Sequence, residues 1–229
     1  MSKLLYVGPS WANRSYDTPN GEETDYTNLY KELELDVVDL SMSGASNLGL
    51  VEKIKQYQND YEGIIWVYAE PIIDLSRGEK EKIFESEDFW QLRAELNHKI
   101  LTAIAEINKP VALIGAHSDI VDCDHANITV IHPSWQKFLA DYSNTKLEHG
   151  WGCEVAHRII LTELAKNFLP SKSLVECVSD TWKAWNVLDL NRVFCWCHPN
   201  RLGTELFARE IKSTLNIWLT EINSSTVTV

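Results

Sequence analysis

Two residues far apart in the chain have the chemistry of a nucleophile and its base. Ser10, in YVGPSWANRSYD, follows one short apolar run, and His198, in CWCHPNRLG, follows another near the opposite end of the sequence. A serine hydroxyl is a poor nucleophile until a base takes its proton and hydrogen-bond donors meet the developing oxyanion. Brought together, the two side chains would carry acyl transfer from an ester.

Other groupings compete for the same residues. Cys195-x-Cys197-His198, with Cys123, Asp124, His125 or Cys153 completing the set, has the soft ligands that suit zinc. A structural zinc site usually draws on two spaced pairs, however, and strand alternation would put Cys195 and Cys197 on one side with Trp196 on the other. Buried thiols and no metal are therefore expected. His117, in LIGAHSDI, also follows an apolar run, either as a substrate contact or beside a capping Ser118 or Asp119. His132, in VIHPSWQKF, repeats the His-Pro arrangement, but His198 alone is followed by Asn200, Gly203 and a helical pattern.

Positioning these residues requires a scaffold, and short apolar runs alternating with helical periods predict a βαβ succession with a mostly parallel sheet. Strands are expected at Lys3–Val7, Leu35–Leu40, Gly63–Ala69, Pro110–Ile114 and Asn127–Ile131, with a weaker sixth at Val193–Trp196. One helical face carries Leu50, Val51, Ile54 and Tyr57, and another carries Phe89, Leu92, Leu96, Ile100 and Ile104. Two more helices are expected within 153–169 and 203–219, and the stretch SNTKLEHGWG reads as loop. Such a sheet binds ligands beyond the carboxyl ends of its strands. Those exits read Gly8-Pro9-Ser10, Ser41 through Asn47, Glu70-Pro71, Gly115 through Asp119, and Cys197-His198-Pro199-Asn200.

The 229 residues, 45% hydrophobic and 24% charged, suit one large α/β domain over 1–222, with a frayed tail at 223–229. Lys and Arg number 21 against 33 Asp and Glu, a net charge of −12 with no basic stripe, so nucleic acid is not an expected partner. No run approaches the ~18 apolar residues of a membrane span and none resembles a signal peptide, which predicts a soluble, cytoplasmic protein. Five cysteines without framework spacing fit reduced thiols. Of nine tryptophans, Trp11, Trp135, Trp151 and Trp196 fall near strand ends or loops, where they either pack or line a cleft.

In chain order these exits resemble the blocks of the SGNH (GDSL-like) hydrolases, a family of esterases, lipases and acetylesterases. GPSW resembles the block that carries the nucleophile, SMSGASN the block whose glycine helps bind the oxyanion, and CWCHPNRLGTELFAREI the final histidine block. The resemblance implies a doubly wound, three-layer α/β/α sandwich, flavodoxin-like, with a five-stranded sheet. It implies Ser10 as nucleophile, His198 as base, and the N–H groups of Ser10 and Gly44 as oxyanion donors. The substrate would be a small-molecule or carbohydrate ester, and no cofactor is called for.

Three positions depart from the family. Pro9 stands where Asp is usual, Glu70 stands near the family's oxyanion Asn, and Cys195 occupies the Asp position of Asp-x-x-His. An ionised Glu70 would repel an oxyanion, and the lost carboxylate leaves Asp180, Asp189 or Glu70 to orient the histidine. Trp11, His117 and Asn200 are the remaining candidate substrate contacts. The same departures support an alternative, a catalytically degenerate domain that binds a carbohydrate or protein partner. A nucleotide-binding flavodoxin-like domain is disfavoured, because no glycine-rich phosphate loop opens any helix.

Overall fold

A computed structural model describes residues 3–13, 28–57, 61–86, 88–116, 120, 123–142, 194–195 and 198–225. Its centre is a parallel five-stranded sheet of β1 (Leu4–Val7), β2 (Val37–Asp39), β3 (Gly63–Tyr68), β4 (Val111–Gly115) and β5 (Ile128–His132), ordered β2-β1-β3-β4-β5. Every residue of β1, β3 and β4 is buried, as expected of strands covered on both faces. The outer strands β2 and β5 are only partly covered.

Alternation sends successive strand residues to opposite layers. Tyr6, Ile65, Val67 and Ala112 face α1 (Ser10–Asn13), α2 (Leu29–Glu32), α6 (Trp135–Tyr142) and α7 (Arg201–Ser225). Leu5, Val7, Trp66, Tyr68 and Leu113 face α3 (Asn47–Lys55) and α5 (Phe89–Ala105). Fully burying each large apolar side chain in these layers contributes ~1.5–3 kcal/mol. The result is the expected α/β class, with layers of helices on both faces of a parallel sheet.

All five central strands stand within two residues of their expected bounds. The sixth does not join the sheet. Its Phe194–Cys195 segment, β6, pairs antiparallel with β7 (His198–Pro199) in a separate two-stranded ribbon, with Cys195 opposite His198 and Phe194 opposite Pro199. Four helices were not anticipated: the single turns α1 and α2, then α6, and α4 (Arg77–Glu85), which opens on a capping box in which the Ser76 N–H donates to Glu79 Oε2 at 2.8 Å. The helix expected within 153–169, the loop around Gly150 and the last four residues lie outside the described residues. Among the described residues no helix is long and apolar enough to cross a membrane.

Candidate functional site

The strand order reverses its direction of growth between β1 and β3, since β2 lies on one side of β1 while β3, β4 and β5 extend on the other. At such a switch point the loops leaving the two strands diverge and open a crevice beyond their carboxyl ends. Ser10 and Glu70 follow β1 and β3 at that place.

The first exit is tightly built. A Cβ at Gly8 would stand 2.5 Å from Ala12 Cβ, 2.8 Å from Val67 Cβ and 2.9 Å from Val67 O, so only glycine lets α1 fold back over β3. The Ala12 N–H donates to Pro9 O at 2.9 Å, and Trp11 and Ala12 are buried while Ser10, opening the helix, is only half-buried. Gly8→Ala forces displacement of α1 from β3 and is expected to cost ~1–3 kcal/mol, read as a lower urea midpoint at unchanged slope.

The second exit is joined to the first. The Met42 N–H donates to Gly8 O at 3.0 Å, and the Ala45 N–H closes a turn on Met42 O, also at 3.0 Å. Gly44 occupies the third position of that turn with φ +74°, the conformation a type II turn requires there. It is exposed, and no hydrogen bond among the described residues engages its N–H.

The third exit is a buried polar layer on the α3 and α5 side of the sheet. Glu70 and Arg93 form a two-pronged ion pair, Nε to Oε1 at 2.8 Å and Nη2 to Oε2 at 3.0 Å, with side chains 3% and 4% exposed. This corrects the expected role of Glu70. Its carboxylate is held by α5, inside the structure, and stands neither bare before an oxyanion nor free to orient a histidine. Beside it the Tyr68 hydroxyl donates to Asn97 Oδ1 at 2.9 Å.

Asn47, at the start of α3, is fully buried and reaches the same exit. Its Oδ1 accepts from the Ala69 N–H at 3.0 Å and from Trp66 Nε1 at 3.4 Å, while its Nδ2 donates to Ala69 O and to Asp74 Oδ2, each at 3.1 Å. Asp74 in turn accepts from the Leu48 N–H at 2.7 Å and the Asn47 N–H at 3.1 Å, capping α3 with negative charge. Burial pushes the Asp74 carboxyl above the usual range, against hydrogen bonds that pull it down. Asn47 and Asp74 do not stand out in the sequence. The visible signal is an asparagine where an amphipathic helix begins.

The last exit carries His198 on β7. Its backbone neighbours include α1 and α7, so the helical turn that starts at Ser10 and the strand that holds His198 are in contact. Asn200, expected as a substrate contact, is the cap of α7: its Oδ1 accepts from the Gly203 N–H at 2.9 Å and its O from the Thr204 N–H at 2.9 Å. That cap stops α7 from running back into His198.

Trp11 is likewise corrected from cleft wall to core. It is 1% exposed and meets Trp135 edge-on at 5.6 Å, and Trp135 stacks on Phe207 of α7 at 4.6 Å. His132 belongs to the same cluster, edge-on to Phe207 at 5.1 Å, with Nδ1 accepting the Ser134 N–H at 3.2 Å. His117, Asp180, Asp189, Trp151, Trp196, Cys153 and Cys197 lie outside the described residues. Among the described residues no three His, Cys, Asp or Glu side chains gather as metal ligands, and burial pushes the Cys123 thiol up.

No protein-family model matches the chain. No curated protein matches it either. Among solved structures it is similar to protein YxiM of Bacillus subtilis, at 15% identity and a TM-score of 0.41, over 94% of this chain and 56% of that one. The chain thus spans little more than half the length of that structure. The fold class rests on the strand order itself: five parallel strands between two helical layers, the arrangement of flavodoxin-like and SGNH proteins.

Proposed function

We propose that the protein is a serine hydrolase of the SGNH type, acting on an ester of a small acyl group. Ser10 Oγ attacks the carbonyl carbon, His198 takes the hydroxyl proton and delivers it to the departing alkoxide, and water then releases the acyl group by the same steps. The N–H groups of Ser10 and Gly44 stabilise the oxyanion. The observation that carries this reading is that α1, opening at Ser10 on the β1/β3 switch point, packs against the strand of His198. Trp11 and Trp135 are buried and offer no aromatic platform, so the proposal commits to the acyl group, carried on a small-molecule or carbohydrate alcohol.

A second reading has its own support. The amide of Asn47 and the carboxylate of Glu70 are both committed to internal partners, so neither offers the side-chain donor the family places after its third strand. That favours a binding domain that has lost turnover. Incubation with a serine-directed phosphonate followed by peptide mass spectrometry separates the two. Adduct on the Ser10 peptide, absent from Ser10→Ala, together with Ser10-dependent hydrolysis of p-nitrophenyl acetate, is the expected result; neither labelling nor turnover would favour the binding domain.

A further inference from the structure

We infer that Asn47 and Asp74 are positioning residues that hold the Gly44 turn rigid as an oxyanion donor, an inference that rests on the serine-hydrolase reading. An oxyanion donor is effective because it is fixed before the charge develops and needs no reorganisation during reaction. The Gly44 turn is exposed, and its glycine makes it locally permissive, so rigidity has to come from its anchors.

Two anchors flank it. On one side the Met42 N–H is bonded to Gly8 O at 3.0 Å, two residues before Ser10. On the other, Asn47 binds the main chain of Ala69 through both its carbonyl and its amide group, as a neighbouring strand would, while Asp74 receives the N–H groups of Asn47 and Leu48. Only Ser43, Gly44, Ala45 and Ser46 lie between the anchors, and the Ala45 to Met42 bond closes the turn within them. Asn47 is fully buried, so truncating it leaves the Ala69 main-chain groups without their partner. On that side the turn would then keep only the bonds from the N–H groups of residues 47 and 48 to Asp74, without the tie to β3.

The test compares Asn47→Ala with Asn97→Ala, which removes a buried hydrogen bond from β3 without touching the turn. With p-nitrophenyl acetate, Asn47→Ala is expected to lower kcat about 100-fold with KM within about 3-fold of wild type, the signature of a lost transition-state interaction. Hydrogen exchange at residues 43–46 should accelerate in Asn47→Ala and not in Asn97→Ala. If Asn47→Ala fails to fold, Asp74→Asn, which sets an amide against the N–H donors of α3, provides the same comparison. Ser10-dependent turnover in the wild type with equal kcat in folded Asn47→Ala and Asn97→Ala overturns the positioning role and leaves the hydrolase standing. Absence of Ser10-dependent turnover in the wild type overturns the hydrolase and the catalytic role of the turn with it. Unchanged exchange at residues 43–46 in folded Asn47→Ala overturns the anchoring itself.

Discussion

Cys195→Asp is expected to raise kcat for ester hydrolysis about 10- to 1,000-fold, a gain set by the up to ~10⁴ that the orienting carboxylate contributes in a serine triad. The carboxylate fixes the tautomer that leaves the proton-accepting nitrogen free, and it stabilises the imidazolium formed when serine is deprotonated. The β6/β7 register brings residue 195 directly across from residue 198. Residues so paired in an antiparallel ladder have Cβ atoms about 5 Å apart, the reach of a short carboxylate to an imidazole. On the serine-hydrolase reading a gain below the full template value is expected, because a working histidine would already be held by some other contact. Cys195→Ser serves as the control and should stay within about 3-fold of wild type, since it keeps nearly the size of cysteine and adds no carboxylate.

The pH profile gives a second readout. An aspartate beside His198 favours the protonated ring, so the acid limb of kcat/KM should move to higher pH in Cys195→Asp. A rise in kcat with that shift is the expected pair of results. Unchanged kcat and an unmoved limb would show that residue 195 does not act on the base, and the orienting group would then be sought outside the ribbon.

Strands β1, β3 and β4 were legible because each is a short apolar run bounded by turn residues, as burial on both faces demands. The polar layer beneath the third exit was less legible. It joins residues far apart in sequence, Glu70 with Arg93 and Asn47 with Asp74, and local periodicity cannot pair them. A partial signal did exist in α5. The expected stripe ran through Leu92 and Leu96, but Leu92 is 37% exposed, and the buried stripe instead runs through Arg93, Asn97, Ile100 and Ile104. An arginine and an asparagine at three-to-four spacing in line with buried isoleucines imply buried partners. Their charge and polarity turned attention to the wrong face.

The tryptophans pose a different difficulty. A bulky aromatic near a strand end can line a cleft or close the end of a core, and sequence position does not distinguish the two. Trp11 and Trp135 close the core here because α7 brings Phe207 against Trp135. The start of α7 was legible through Pro199, the Asn200 cap and Gly203.

Arg93→Met is expected to destabilise the protein by about 3–5 kcal/mol, because it leaves the Glu70 carboxylate buried without its partner. Surface ion pairs contribute far less, but both members here are nearly inaccessible to solvent and joined by two hydrogen bonds. Glu70→Leu should cost a similar ~3–5 kcal/mol by stranding the guanidinium. The double variant Glu70→Leu/Arg93→Met removes both charges and should be more stable than either single, because apolar replacement of a whole buried pair is often neutral. Urea denaturation of the four proteins gives the coupling, provided the slopes agree. Single-variant losses below about 1 kcal/mol would mean that water reaches the pair and that it behaves as a surface contact. The double variant also isolates function from stability. If it folds and retains Ser10-dependent turnover, the ion pair serves to seat the third exit on α5, and the charge of Glu70 has no part in the chemistry.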